Sequence, residues 1–359
     1  MKAAICYELG APLQVEEIDL ARTGKGQVKV RVAATAVCHS DVHDIKGELP
    51  GPRPFVPGHE SAGYVAETGD GVTSVKVGDP VVVSLMKSCG ECYYCLTGMP
   101  HLCDKMMVPP EVPVMRTKAG QPLVAKGNIG GFAESVLVDK SQVVKVPAEM
   151  PLDRACLLAC GVSTGFGGVV NRAKVRPFNS VVVIGTGGVG INAIQGAAYT
   201  GASPVIAVDV LDKKLETARV FGASHTVNAK SSDAAEQVRR LTAGRGADFV
   251  FVTVGSVVAI KQGLTMAGKR GQVVIIGLPP AKDTLAFSPL ELIPTERTLT
   301  GGFMGSANLR IDIPRLVDLY RSGHLKLDEL ITARYPLAKI NEAIESTERG
   351  DALRNVIVF

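Results

Sequence analysis

The sequence predicts a two-domain α/β protein, because two different periodicities occupy different parts of its 359 residues. Residues 1–35 alternate apolar and polar positions, as strands do, and residues 36–80 continue as strands interrupted by glycine and proline. After Pro151, short apolar segments alternate with stretches suited to helices, which is typical of a parallel sheet with right-handed crossovers. A chain of this length can bury two separate cores.

The first 150 residues are therefore predicted to be mainly β. The passage from Val75 to Val83, with Gly78 and Asp79 at a turn, predicts a hairpin of a small barrel. Residues 104–130 are rich in proline and glycine, and we expect them to form a long loop of the kind that commonly shapes a pocket.

The second part predicts a doubly wound parallel sheet, because strands and helices follow one another in regular order. The predicted strands are residues 181–184, 205–209, 225–228, 248–254 and 272–277. The predicted helices are residues 188–200, 211–221, 233–242 and 256–267, and residues 153–172 also suit helices. A helix at 312–322 and a strand at 356–359 complete the chain.

Composition and charge narrow the class of protein. Hydrophobic residues make up 46% and charged residues 21%, which fits a folded globular chain. The net charge of +4 is too small to argue for nucleic acid or a membrane surface, and no apolar run reaches the ~18 residues of a membrane span. We see no signal peptide, and the eight cysteines have the spacing of metal ligands, so we expect a reducing cytoplasm.

Four cysteines form a compact set within fifteen positions: Cys89, Cys92, Cys95 and Cys103. Four thiolates complete a tetrahedron with no open position, which predicts a structural Zn²⁺ in a lobe at about residues 87–105. Disulfides, free core thiols and a nucleic-acid-binding lobe are the alternatives. The lobe lacks the basic, aromatic-interleaved face that nucleic-acid binding would need. His101 is expected at the surface, and Cys6 and Cys156 in the core.

A second ligand set starts at Cys38 and His59, which lie 21 positions apart, each beside a carboxylate. Cys160, between Ala159 and Gly161, is the candidate third ligand. Two sulfurs and one nitrogen leave one position of a Zn²⁺ open, which is typical of a catalytic site where the metal polarises a substrate oxygen.

A glycine-rich turn, with Gly185, Gly187 and Gly190 in the pattern GxGxxG, follows a predicted strand and opens a predicted helix. Such a turn lets the backbone approach a pyrophosphate at the helix N-terminus. Asp209 lies 19 residues after Gly190 at the end of the next strand, where a carboxylate accepts from a ribose diol and repels a 2′-phosphate. This favours NAD over NADP, although the glycine motif alone fits a simple turn or a methyltransferase loop.

Several of these motifs, in this order, resemble the zinc-containing medium-chain alcohol dehydrogenases. The resemblance rests on Cys38-His39-Ser40-Asp41, on Gly58-His59-Glu60-x-x-Gly63 continuing to Gly69 and Val72, and on the loop from Gly185 to Gly190. It runs from the N-terminus to the last strand. It implies a GroES-like catalytic domain of residues 1–161 plus 304–359 and a Rossmann NAD-binding domain of residues 162–303.

The resemblance also implies roles at the catalytic site. Ser40 accepts the substrate proton, the cofactor ribose passes it on, and His43 delivers it to solvent, as the near-neutral pKa of an ordinary histidine allows. Asp41 orients His59, and Glu60 lies behind the zinc and pairs with Arg354.

The expected cofactor and pocket contacts follow from the same resemblance. The cofactor residues are His39, Thr164, Gly185, Gly187, Gly188, Val189, Gly190, Asp209, Lys214 and Arg354. The side chains expected in the substrate channel are Leu49, Leu85, Phe132, Leu278 and Phe303. Thr164, Val189 and the apolar pocket residues suit the core equally well.

The predicted function is interconversion of a small-molecule alcohol and its aldehyde or ketone, with NAD and two Zn²⁺ per chain. The predicted assembly is a homodimer, with a homotetramer as the alternative. Zinc dehydrogenases for a thiol–formaldehyde adduct, a polyol or an amino alcohol are rivals, because a few pocket side chains separate them. A non-catalytic zinc- and dinucleotide-binding protein is the rival from another class, although it would need no proton route.

Overall fold

A computed structural model describes residues 1–359 and divides the chain into two compact units. Unit 1 comprises Met1–Cys160 and Asn308–Phe359, and unit 2 comprises Gly161–Ala307. The boundaries expected from sequence lay at 161/162 and 303/304, so they differ from these by one residue and by four.

The chain contains eighteen strands, and their alternating or continuous apolar patterns match their burial. They are β1 Lys2–Ile5, β2 Gln14–Leu20, β3 Gln27–Val37, β4 Phe55–Val56, β5 Glu60–Thr68, β6 Pro80–Ser84, β7 Met115–Thr117, β8 Pro122–Ala125, β9 Ser135–Asp139, β10 Val143–Lys145, β11 Val181–Ile184, β12 Val205–Asp209, β13 His225–Asn228, β14 Ala247–Val252, β15 Ala267–Ile275, β16 Thr298–Gly301, β17 Ile331–Pro336 and β18 Arg354–Val358.

Ten α-helices connect or flank these strands. They are α1 His39–Lys46, α2 Tyr93–Leu96, α3 Leu152–Ala155, α4 Gly161–Gly167, α5 Gly188–Tyr199, α6 Asp212–Val220, α7 Ala234–Leu241, α8 Val257–Met266, α9 Leu309–Arg321 and α10 Ile340–Glu348. None of them combines the length and the apolar character needed to cross a membrane.

Unit 1 is built on two β-sheets. A five-stranded sheet has the order β1-β2-β7-β8-β4, and a seven-stranded sheet runs β10-β6-β5-β3-β18-β17, with β9 paired to β3. Most pairs are antiparallel, as between β3 and β5, where Val32 lies opposite Gly63. The inward positions fill one core with Val28, Val30 and Val81, because alternate residues of a strand face the same side.

Unit 2 is a six-stranded parallel sheet of order β13-β12-β11-β14-β15-β16. The central strand β11, Val181–Ile184, is buried on both faces and pairs with β12 and β14. A continuous Val and Ile run is what such a strand requires, because helices cover both faces of a parallel sheet. The strand order reverses beside β11. Doubly wound sheets bind their ligands at such a point, outside the carboxyl ends of the strands.

Three local predictions are wrong. Residues 39–46 form helix α1 rather than strand, and the expected hairpin at Val75–Val83 contains only one strand, β6. The expected loop at 104–130 contains the antiparallel pair β7–β8, with Met115 opposite Leu123. Met115 and Leu123 are fully buried, so this hairpin belongs to the core of unit 1 rather than covering it as a loop.

Candidate metal centres and dinucleotide site

Helix α1 holds the residues beside the first donor set in fixed positions. Its first turn is closed by the Asp41 carboxylate, whose Oδ2 accepts from the Cys38 backbone N–H at 3.0 Å. Such a contact satisfies an amide that the helix itself leaves open. The helix ends at Gly47, whose φ of 75° is the left-handed conformation that glycine adopts at little cost.

Four buried side chains bring their donor atoms to within 4.8 Å of one another: Cys38, His59, Glu60 and Cys160. All four belong to unit 1. Two sulfurs, an imidazole nitrogen and a carboxylate at this spacing fit a tetrahedral Zn²⁺, whose ligands lie about 2.0–2.3 Å from the metal. The three ligands expected from the sequence are therefore brought together, with Glu60 beside them.

The imidazole of His59 is oriented by Asp41 of helix α1. Its Nδ1–H donates to Asp41 Oδ1 at 3.0 Å, and the same oxygen accepts from the Gly58 N–H at 3.1 Å. This bond leaves Nε2 as the nitrogen with a lone pair, which is the arrangement that supports metal ligation. Gly58 has φ 94°, and a Cβ there would lie 2.6 Å from the Phe132 backbone nitrogen, so the turn requires glycine.

Glu60 and Arg354 form a buried ion pair behind the donor set. Burial raises the pKa of Glu60 to about 7, although the Arg354 charge opposes that rise. Burial alone would lower the pKa of Arg354, but the Glu60 carboxylate outweighs it and raises that pKa. Glu60 Oε1 is also 3.9 Å from His59 Nε2. The carboxylate therefore lies next to the donor set while it is paired with Arg354.

The two thiols of the donor set have opposite tendencies. A hydrogen bond from Cys160 lowers the pKa of Cys38 well below its ordinary value against the effect of burial. The same bond and burial raise the pKa of Cys160 well above its ordinary value. Burial opposes protonation of His59, but Asp41 raises its pKa overall. These shifts favour a thiolate at Cys38 next to a protonated thiol at Cys160. A bound cation would favour loss of the second proton, as in other thiolate ligand sets.

Ser40 and His43 are residues of helix α1, next to the first donor set. Ser40 Oγ lies 3.5 Å from His59 Nε2, so the hydroxyl is next to the metal-binding nitrogen. His43 Nδ1 donates to the Glu48 carboxylate, and its ring packs edge-on against His39 with centroids 5.1 Å apart. Glu48 was missed from the sequence, although its position five residues after His43, just past the helix, is the available signal.

The second donor set comprises Cys89, Cys92, Cys95 and Cys103, whose sulfurs also lie within 4.8 Å of one another. The Sγ atoms of Cys89 and Cys95 are 4.0 Å apart, and those of Cys92 and Cys103 are 3.9 Å apart. Four sulfurs bound tetrahedrally to Zn²⁺ at 2.3 Å would be about 3.8 Å apart. The set therefore fits zinc without rearrangement.

Backbone amides prepare this lobe for thiolates. Cys89 Sγ accepts from the Cys92 N–H and Cys103 Sγ from the Cys89 N–H, both at 3.3 Å. Amide donors at Cys95 and Asp104 lower the pKa of Cys92 to about 6, whereas burial raises the pKa of Cys95 to about 12. His101 is only 7% exposed, so the expectation that it lies at the surface is wrong.

In unit 2 the glycine-rich turn connects β11 to α5. Gly185 has φ 87°, and a Cβ on Gly190 would lie 1.8 Å from the Gly185 carbonyl oxygen, so helix and turn are in direct contact. A Cβ on Gly187 would meet nothing within 4 Å. Gly187 thus stands open at the helix N-terminus, with the half-buried Gly188 next to it, where N–H groups and the helix dipole favour a phosphate. Val189 is half-buried on the first turn.

Asp209 ends β12 beside this turn, and its carboxylate accepts from the Thr186 N–H at 2.8 Å and from the Thr186 hydroxyl at 2.9 Å. Lys214 is half-buried on α6. Thr164 is buried in α4 and donates to Met304 Sδ at 3.7 Å. His39 is exposed at the start of α1 in unit 1.

Of the five side chains expected in the substrate channel, three lie in unit 1 and two in unit 2. Phe132 is 0% exposed in a hydrophobic cluster of unit 1, so we assign it to packing. Leu49 and Leu85 are half-buried in unit 1, and Leu278 and Phe303 are exposed in unit 2.

A cavity of about 340 Å³ in unit 1 is lined instead by six prolines and the end of the β7–β8 hairpin, including Lys126 and Gly127. Gly127 in its wall lies next to one residue of the first metal centre, because a Cβ on Gly127 would lie 3.4 Å from the Cβ of His59. Most of its lining comes from residues within 107–114 and 122–128, which belong to the stretch expected to shape a pocket, and residues 50–52 complete it.

Two family models match the chain in the order of the units. The alcohol dehydrogenase GroES-like domain matches residues 24–148, and the zinc-binding dehydrogenase domain matches residues 188–322. An NDMA-dependent alcohol dehydrogenase of Amycolatopsis methanolica is 41% identical over 365 residues, covering 99% of this chain and 98% of that protein.

Solved structures give the same result. An alcohol dehydrogenase zinc-binding domain protein from Burkholderia ambifaria has a TM-score of 0.95 at 32% identity, covering 100% of this chain and 98% of that one. Benzyl alcohol dehydrogenase from Acinetobacter calcoaceticus has a TM-score of 0.93 at 31% identity, covering 100% and 99%.

A GroES-like unit with zinc-fitting donor sets and a Rossmann unit define an oxidoreductase that uses zinc and a nicotinamide cofactor. The chain belongs to the zinc-containing medium-chain alcohol dehydrogenase family, and it is an oxidoreductase of small-molecule alcohols. The predicted family and fold class are confirmed.

Proposed function

We propose that this protein is an NAD-linked alcohol dehydrogenase that holds one catalytic and one structural Zn²⁺ per chain. The observation that carries the proposal is the pair of donor sets, each with its donor atoms within 4.8 Å. One set is all thiol and closed, and the other leaves its fourth position to a substrate oxygen while Glu60 stays paired with Arg354. Cys38, His59 and Cys160 would hold the catalytic ion, which supplies Lewis-acid polarisation of that oxygen when bound.

The chain's own residues handle the proton. Ser40 Oγ accepts the proton of the substrate hydroxyl while its own hydroxyl proton moves on towards His43, because it is the hydroxyl adjacent to His59 Nε2, at 3.5 Å. His43 returns the proton to solvent, and its bond to Glu48 fixes Nδ1 as a donor so that Nε2 is the exchanging nitrogen. Asp41 keeps His59 in the ligating tautomer throughout.

A nicotinamide cofactor bound at the glycine-rich turn supplies the hydride acceptor. NAD is proposed rather than NADP, because Asp209 is a carboxylate beside that turn and repels a 2′-phosphate. The other predicted contacts of the cofactor are Lys214, Val189 and Thr164 in unit 2 and His39 and Arg354 in unit 1.

The proposed substrate is an alcohol with an apolar body. The cavity beside Gly127 in unit 1 has mostly proline and aliphatic walls, and Gly127 itself is next to the ligand His59. Rigid apolar walls suit an alkyl or aryl group. The name of the Acinetobacter relative, benzyl alcohol dehydrogenase, makes benzyl alcohol the first substrate to try. Thiol–formaldehyde adducts, polyols and amino alcohols are the comparison substrates.

Cofactor use tests the proposal directly. Purified protein is assayed with these alcohols and NAD, with NADP, and with NDMA, on which the Amycolatopsis relative depends by name. We expect NAD reduction, and kcat/KM for NAD at least ~10-fold above that for NADP, as one repelled charge within a binding site implies. Asp209→Ala should reduce that ratio. Turnover only with NDMA, or equal use of NAD and NADP, would contradict NAD linkage.

Metal analysis tests the other half. Two zinc ions per active chain are expected, and Cys160→Ser should remove the catalytic ion and turnover while Cys6→Ser keeps both. Cys6 is a matched control, because it is buried but outside both donor sets. One zinc or none in a fully active chain would contradict the assignment. A zinc-containing chain that binds NAD but oxidises no alcohol would favour the non-catalytic binder.

Assembly and location follow from the same proposal. We propose a homodimer, with a homotetramer as the alternative, to be measured by light scattering. Seven thiols or imidazoles in two zinc sites work best where thiols stay reduced, so we propose the cytoplasm.

A further inference from the structure

The Asp209 carboxylate is fully engaged by the protein's own donors. Oδ2 accepts from the Thr186 N–H and the Thr186 hydroxyl, at 2.8 and 2.9 Å. Oδ1 accepts from the Val210 N–H at 2.8 Å and from the Leu211 N–H at 3.2 Å. An ionised carboxylate offers about four lone-pair positions, so no favourable position is left over.

A ribose diol needs those same positions. Three of the four donors are backbone amides of the turn and of the segment leading into α6, and these cannot move without the chain. The fourth is the hydroxyl of Thr186, whose side chain is the only donor that can rotate away. The three amides also hold the carboxylate in place by themselves, so the hydroxyl is not needed to orient it.

From this geometry we infer that Thr186 is a specificity-determining residue that competes with the adenosine ribose for Asp209. The inference rests on the proposed binding of NAD at this turn. In the free protein the Thr186 hydroxyl takes the position of a ribose hydroxyl, and it must leave when the cofactor enters. Thr186 is fully buried, so water cannot take over the hydrogen bond that its hydroxyl loses when it leaves Asp209. That loss is subtracted from the free energy of NAD binding, and NAD therefore binds more weakly than it would without the Thr186 hydroxyl.

Equilibrium binding to the whole protein tests this without relying on turnover. Isothermal titration calorimetry is carried out with NAD, with ADP, and with 2′,3′-dideoxy-ADP, which lacks both ribose hydroxyls. Thr186→Val keeps the shape and removes the donor, and we expect it to bind NAD and ADP about three- to tenfold more tightly. Binding of 2′,3′-dideoxy-ADP should not tighten. Thr186→Ser restores the hydroxyl and should return wild-type affinity for all three ligands.

Thr186→Ala also lacks the donor and replaces Thr186→Val if that variant is unfolded, which thermal melting would reveal. Weaker or unchanged NAD binding by the hydroxyl-free variants would overturn the inference, as would an equal gain for the dideoxy ligand. These outcomes leave the proposed function intact as long as the wild type binds NAD and Asp209→Ala weakens it. A wild type that binds neither NAD nor ADP would overturn both the inference and the cofactor assignment.

Discussion

At the residue scale, Asp41 connects three parts of the catalytic centre. Its carboxylate accepts from the Cys38 N–H, from the Gly58 N–H and from His59 Nδ1–H. It therefore fixes the start of α1, the turn before β5 and one metal ligand with a single buried side chain. A neighbour two positions along the helix, His43, has a different kind of partner, because Glu48 lies at the exposed end.

The proton route gives a prediction at this scale. Ser40→Ala removes the hydroxyl nearest His59 Nε2 and should lose most of kcat, whereas His43→Gln should lose about 10²-fold or less. Both losses should be greatest at low pH, where bulk base is scarce. Small buffer bases should partly restore His43→Gln, which lies towards solvent, and not Ser40→Ala. Steady-state rates across pH and buffer concentration measure this, and wild-type rates for both variants at pH 7 would assign the route elsewhere.

Glu48→Gln is the control that distinguishes the role of Glu48, the hydrogen-bond partner of His43, from the proton transfer by His43 itself. It keeps a hydrogen-bond acceptor for His43 Nδ1 but removes the charge, and the bond to His43 lowers the pKa of Glu48 in the folded protein. Its effect on kcat should be smaller than that of His43→Gln. A larger effect would make Glu48, rather than His43, the group that exchanges the proton.

The sequence carries the chemistry of single residues better than their surroundings. Thiols and imidazoles rarely occur together at ligand spacing for packing alone. The sequence therefore indicated Cys38, His59 and Cys160, and the structure brings their donor atoms within 4.8 Å of one another. Phe132 by sequence suits a core as well as a pocket, and the structure places it in the core. The Thr186 bond to Asp209 could not be foreseen, because it joins the end of one strand to the turn after another, 23 residues apart.

At the element scale, the four-cysteine lobe contains little regular structure. Its only helices are the four-residue α2 and a three-residue turn, Pro100–Leu102, and the side chains of Tyr93 and Leu96 are 69% and 73% exposed. A segment with so few buried apolar contacts cannot supply the free energy needed to order itself. We therefore expect its fold to depend on the metal.

Cys92→Ser tests that dependence. It should remove one zinc per chain and lower stability by several kcal/mol, as loss of a structural zinc ligand does. Metal analysis and denaturant unfolding measure the two effects, with Cys156→Ser as the matched control in a buried cysteine outside both sets. Limited proteolysis should cut the variant within residues 87–105. Unchanged zinc content and stability would mean that the lobe folds by its own contacts.

Several short strands were predicted with their bounds. Strands β11, β12 and β13 match the predicted residues, and the β-branched runs of β11 and β12 between turn residues have few other uses. Helix α1 was missed. Its eight residues lie between a strand and a proline-rich turn, and their mean composition is polar, so no apolar periodicity marks them. What forms this helix is Asp41 at its start and Gly47 at its end, together with partners distant in sequence.

At the scale of the whole chain, unit 1 is assembled from two separated stretches, and β18 pairs with β3 to join them. A second connection is ionic. Asp153 on α3 binds both Arg154 and Arg334 at 2.8 and 2.7 Å, and Arg154 reaches Asp328 at 2.7 Å. The group links residues 153–154 with residues 328–334. Burial disfavours the Asp153 charge, but the two arginines outweigh it and lower the pKa of Asp153 below its ordinary value.

This network predicts an acid-sensitive part of the stability. A carboxyl whose pKa is lower in the folded state stabilises that state above its unfolded pKa of about 3.9, and the contribution disappears as pH falls through the folded value. Asp153→Asn should therefore destabilise the protein at pH 7 by about 1–3 kcal/mol. The reason is that Asp153, whose side chain is only 16% exposed, would no longer offer a charged acceptor to its two arginines. The difference between wild type and variant should shrink below about pH 4.

Asp351→Asn provides the matched control, because Asp351 pairs with Arg349 at the surface with its side chain 58% exposed. Exposed pairs contribute about 0–1 kcal/mol, so this variant should unfold close to wild type at every pH. Urea unfolding of the three proteins at pH 7 and again near pH 3.5 gives the comparison. Release of zinc in acid affects all three alike and cancels in the differences. An Asp153→Asn deficit that stays constant down to pH 3.5 would mean that packing of α3, rather than its charges, joins the two stretches of unit 1.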